Sequence, residues 1–112
     1  MTKEDMKPFH EALAPALFNA SWDLLEKENR TREEDSKLIN MVHASLFHWR
    51  QIGTPVNLLR GEWMISHVYA LLKHSDAALY HAENGLKIAL ENGIKDFDLA
   101  YAYEAMARAF AC

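Results

Sequence analysis

The chain has 112 residues, half of them apolar and a quarter charged, which suits one domain around a single core and argues against disorder. Its formal net charge of −4 lies wholly before Ser36, where five Lys or Arg face nine Asp or Glu, while the remainder carries seven of each. Nucleic-acid binding needs clustered cations to displace counterions from phosphates, and the scattered positives here do not supply them. No apolar run approaches the roughly 20 residues of a membrane span, and Met1 to Asp5 lack the cationic and then apolar order of a secretory signal. The single cysteine, Cys112, has no partner within the chain. The expected location is cytoplasmic.

A first helix is expected from Lys7 to Glu28, with Phe9, Leu13, Leu17, Ala20 and Leu24 at helical spacing. Pro15 lacks an amide donor and crowds the preceding turn, so a kink or break is expected near Ala14. The charged run from Glu26 to Asp35 reads as a linker. Thr31 with Glu34 forms a capping-box signature for a second helix, which carries Leu38, Val42, Leu46 and Trp49 and stops at Gly53 in a left-handed conformation. Thr54 and Pro55 open a third helix directly, and so short a turn implies antiparallel packing.

The third helix is apolar around more than half its girth, through Leu59, Trp63, Met64, Ile65, Val68, Tyr69 and Leu72, with Gly61 as its weak point. Ser75 and Asp76 begin a fourth helix that ends at Gly93, and its small residues Ala78, Ala82 and Gly85 permit close approach of a neighbouring backbone. Asp96 is expected to cap a fifth helix bearing Leu99, Tyr103, Met106 and Phe110.

Ile65, Ser66 and Tyr69, followed by Ala78, Ala82 and Gly85, resemble the tetratricopeptide repeat, and Tyr103, Met106, Ala107 and Phe110 resume the pattern. A weaker match runs through Leu17, Ala20, Ser21 and Leu24. Departures are Glu62 in the leading aromatic slot, Ala82 for the second aromatic, Leu90 for the terminal proline, and spacings longer than the family's own. The segments HASLFHWRQIGTPVNLLRGEWMISHVYALL and NGIKDFDLAYAYEAMARA are also similar to short bacterial proteins of this type. The resemblance implies an all-α fold over residues 1–112, a five-helix antiparallel stack of α-α hairpins forming a fragment of a right-handed solenoid.

It also implies a concave groove that receives a peptide or protein partner, with no cofactor and no catalysis. Groove positions carried across are Phe18 and Trp22, then Arg60, Trp63 and His67, then Tyr101, Glu104 and Arg108. The competing reading of Trp22 and Trp63 is core packing. In a tandem array the fifth helix would be covered by a further helix, so its apolar face is expected to form a homodimer through Tyr103, Met106 and Phe110, with capping of the stack by the helix itself as the alternative.

Six histidines raise a different possibility. None is three or four residues from another, so no helical metal-ligand pair exists, and no metal site is expected. The alternative function is a metal-dependent or acid–base enzyme in which His43, His48 and His67 meet near Glu62 inside the stack. No nucleophile motif or glycine-rich phosphate loop is present.

Overall fold

The computed structural model describes all 112 residues. It is all-helical, with α1 (Lys3–Glu26), α2 (Arg32–Ile52), α3 (Pro55–Leu71), α4 (Ser75–Glu91) and α5 (Asp96–Ala111). Each helix packs against the next in sequence, and α3 also packs on α5. No helix is long and apolar enough to cross a membrane.

Local chemistry sets the helix ends. The α1 helix starts four residues ahead of the expected Lys7 because Thr2 and Asp5 close a capping box, with Asp5 N donating to Thr2 Oγ1 at 3.1 Å and Thr2 N to the Asp5 carboxylate at 3.0 Å. It ends at Glu26, two residues short of Glu28, and Asn29 turns the chain with φ +55°. Of the kink or break expected near Ala14, the break does not occur: the helix runs on through Pro15. The carbonyl that Pro15 leaves without a donor belongs to Glu11, an exposed residue, so solvent can satisfy it.

The Thr31–Glu34 box forms as expected. Lys27 also pairs with Glu34 and, with the Thr31 amide, lowers that carboxyl to about 2. Gly53 departs from expectation: its φ of −87° is extended. Glycine is required there for space, since a Cβ would lie 2.6 Å from the Trp49 carbonyl oxygen. At the next helix Thr54 caps through Asn57, whose side-chain oxygen accepts from the Thr54 amide at 3.0 Å. Gly93 does adopt φ +62°. Asp96 has φ +62° and is the first residue of α5; Lys95 holds the cap position and no side chain caps the helix. An N-cap is extended, so the left-handed Asp96 cannot serve as one.

All three apolar clusters include residues of α3. Met64, Ile65 and Val68 join Leu25 of α1 and Leu38, Val42 and Leu46 of α2. Ala70 joins Ala78 and Ala82 of α4 and Ala105 and Ala109 of α5. Leu59 joins Ala89 and Ala102. Alanine on three helices brings the backbones close, and Ser66 uses that proximity to donate to the Ala78 carbonyl at 2.7 Å. Gly61, expected to be the weak point of α3, lies where α2 meets α3, and a Cβ there would come within 2.7 Å of Leu46 Cδ1.

Gly85 differs from Gly61. A Cβ there would touch Glu62 Cβ at 3.7 Å, an ordinary contact, while alanine would lower the entropy of the unfolded chain. Gly85→Ala should therefore raise the unfolding free energy in urea by about 0.5–1 kcal/mol. A loss of stability would show that α3 and α4 approach more closely than this.

Candidate functional site

Alternate helices α1, α3 and α5 contribute one aromatic surface. Phe18 and Trp22 lie one turn apart on α1, and their rings meet edge to face at 6.3 Å. The Trp22 ring lies 5.8 Å from that of Trp63 on α3, which in turn lies 5.7 Å from Tyr101 on α5. Together with Leu59, Arg60, Phe97 and Asp98 these residues line a cavity of about 250 Å³. The packing that builds it is aromatic contact between helices distant in sequence.

Two charged pairs brace it. Arg60 holds Asp98 in a forked bond, Nε to Oδ1 at 2.9 Å and Nη2 to Oδ2 at 3.2 Å, joining α3 to α5 at the rim. Hydrogen bonding to Asp98 raises the Arg60 pKa above its ordinary value. Beneath, Trp63 Nε1 donates to Glu104 at 2.9 Å, Glu104 pairs with Arg108, and the Arg108 guanidinium lies 5.5 Å from the Trp63 ring centre. Burial lowers the Arg108 pKa. Arg108 Nη1 and His67 Nδ1 are buried without a protein partner, and the His67 ring packs 5.2 Å from Trp63.

Five of the eight residues expected in the groove, Phe18, Trp22, Arg60, Trp63 and Tyr101, thus line the cavity. The other three, His67, Glu104 and Arg108, contact Trp63 from outside the lining. The remaining three lining residues, Leu59, Phe97 and Asp98, were not among those expected. The stripe Phe97, Tyr101, Glu104, Arg108 at spacings of four, three and four contains the signal for Phe97, one turn ahead of where the repeat resemblance places the first groove residue.

Tyr103 and Phe110, assigned to a dimer face, are exposed at 52% and 71%. Met106, the third residue of that assignment, is half-buried and packs against the alanine cluster of α3, α4 and α5.

The histidines do not converge as the enzymatic alternative requires. His48 pairs with His10, Nδ1 to Nδ1 at 2.7 Å; His67 packs on Trp63; and His43 bonds Tyr69 through Nε2 at 2.8 Å. No three His, Cys, Asp or Glu side chains come close enough together to hold a metal ion. Glu62, in the slot where the repeat pattern carries an aromatic, is the buried acid, 1% exposed. Its carboxylate accepts from Arg50 at 2.9 Å, His81 Nδ1 at 2.7 Å and Asn84 at 3.4 Å. These bonds tie α3 to α2 and α4, with the His81 ring stacked on Tyr69 at 5.8 Å and 18°.

Removing the acid leaves Arg50, His81 and Asn84 without their acceptor, so Glu62→Ala should cost about 2–4 kcal/mol in chemical denaturation. A cost below about 0.5 kcal/mol would place Glu62 in solvent. For His43, burial first and the charge of His81 second lower the pKa below 6.5. The unfolded chain therefore takes up the proton more readily, and the stability His43 contributes is present above pH 6.5 and lost as pH falls through its lower folded value. His43→Gln should flatten the decline of unfolding free energy between about pH 7 and pH 5; an unchanged slope would exclude His43 as a contributor.

No family model matches the chain, and comparisons with curated proteins and with solved structures find no match to it.

Proposed function

We propose that the chain is a tetratricopeptide-like interaction module, a fragment of a right-handed helical-hairpin solenoid that holds a peptide or a segment of a partner protein and performs no chemistry of its own. The observation that carries this reading is the half-buried Trp63, which links Trp22 and Tyr101 across three helices and lines the shared cavity. Aromatic residues and arginine in a partly desolvated pocket are the usual anchors of protein recognition. The packing of α3 on both α4 and α5 supports a hairpin stack.

Charge narrows the ligand. Arg60 cancels Asp98 and Arg108 cancels Glu104, so the groove favours an apolar or aromatic side chain flanked by backbone that can use the indole, phenol and guanidinium donors. Buried Arg108 Nη1 and His67 Nδ1 each lack a protein partner and lie against Trp63 outside the cavity lining. A cytoplasmic homodimer belongs to the same reading, with Tyr103 and Phe110 as its contact.

Peptides selected from a phage-displayed random library on the intact chain provide the probe. Trp63→Ala should weaken the selected peptides by roughly 30-fold or more, and Arg60→Ala by roughly fivefold, with helicity unchanged. Unaltered affinity in both variants would remove the groove assignment. Native mass spectrometry under reducing conditions should show two chains, with Phe110→Asp giving one; a monomeric parent would remove the dimer and leave the groove intact.

A further inference from the structure

The first part of α1 is attached to the rest of the protein through a contact between two histidines. Among residues 1–13 only His10 is buried. It meets His48 of α2 with 2.7 Å between their Nδ1 atoms, and the Phe47 ring closes on it edge to face at 6.1 Å. Below it, Ala14 is fully buried and accepts from Ser45 at 2.8 Å. Pro15 follows immediately and cannot donate to the Glu11 carbonyl, so the helix lacks a hydrogen bond between the segment before Ala14 and the part of α1 that bears Phe18 and Trp22.

We propose that the His10–His48 contact is an acid-sensitive latch holding the first three turns of α1 against the end of α2, with Pro15 as the point at which this segment parts from the rest of the helix. In a bond between two imidazole nitrogens one carries the proton and the other accepts it, so at most one ring is cationic. A second proton makes both nitrogens donors and sets two positive charges against each other in a site that leaves His10 only 7% exposed. No carboxylate is bonded to either ring to offset this. The adjoining hollow is lined by Lys3, Glu4 and Lys7 of α1 and by the uncharged Gln51 of α2, and Arg50, two residues from His48, is engaged with Glu62.

Burial, and then the charge of His10, lower the His48 pKa below 6.5. The docked segment therefore prefers the neutral ring, and docking is favoured above pH 6.5 and lost as pH falls through the lower value. Undocking uncovers the side of Phe47 that His10 covers. It leaves Phe18 and Trp22 in place, since both follow Pro15, so the latch and the groove stand or fall separately.

Hydrogen exchange of the intact chain at pH 7.5 and pH 5.5, corrected for intrinsic rates, tests this directly. Residues 3–13 should lose at least about tenfold of their protection at the lower pH while residues 16–26 keep theirs. His10→Leu combined with His48→Leu keeps apolar volume at the contact and leaves no ring to protonate, and should hold residues 3–13 equally protected at both values. Protection that does not change with pH in the parent chain, or falls as far in the double variant, would overturn the latch. Histidine side-chain NMR of the parent supplies a readout free of any substitution: His48 should titrate below pH 6.5, and a His48 titration at or above that value would overturn the latch as well.

Discussion

The structure depends on one constraint, that α3 must be buried on nearly every side. A helix so placed cannot have a single apolar stripe, and α3 instead assigns each face to a different neighbour: Met64, Ile65 and Val68 toward α1 and α2, Ala70 toward α4 and α5, Leu59 toward α4 and α5 at its other end. The buried acid Glu62 belongs to the same arrangement. With Arg50 reaching it from α2 and His81 and Asn84 from α4, its carboxylate fixes how the three helices meet, a registry role that an apolar side chain of similar size would not impose. What remains of the α3 surface is the strip carrying Arg60 and Trp63.

That strip becomes a site because α1 and α5 flank it. Neither helix makes a pocket alone; Trp22 and Tyr101 each contact only one side of the Trp63 ring assembly, and the cavity exists where the three helices meet. The Arg60–Asp98 fork and the Trp63–Glu104 bond then hold α5 at the distance that keeps the cavity open. Rigid aromatics braced by paired charges lose little entropy on receiving a ligand, which is the property the proposed interaction role would use.

The five helices were legible in the sequence because caps and periodicity agreed: Thr31 with Glu34, Thr54 with Pro55, and the small-residue run Ala78, Ala82 and Gly85. Local signals were overridden where tertiary packing intervened. Of the kink or break expected near Ala14, the break is absent, and α1 continues through Pro15 with His10 and Ala14 buried on its flank; Gly53 answers to crowding by Trp49 in place of a positive φ. For the site, the groove positions carried across from the repeat resemblance included Phe18, Trp22, Trp63 and Tyr101, but nothing in a one-dimensional pattern could join Glu62 to His81 or His10 to His48. Those pairs bring together residues 19 and 38 positions apart, and they are created by the helix crossings themselves.

The most direct measurement of the central claim, that α3 places Trp63 between α1 and α5 to form one groove, is the set of nuclear Overhauser contacts from the Trp63 ring in solution. The account predicts contacts to both Trp22 and Tyr101, whose ring centres lie 5.8 Å and 5.7 Å away, together with slowed exchange of the Trp63 indole N–H bonded to Glu104. A Trp63 ring that contacts neither aromatic, or whose indole proton exchanges as freely as that of an unbonded tryptophan, would contradict it.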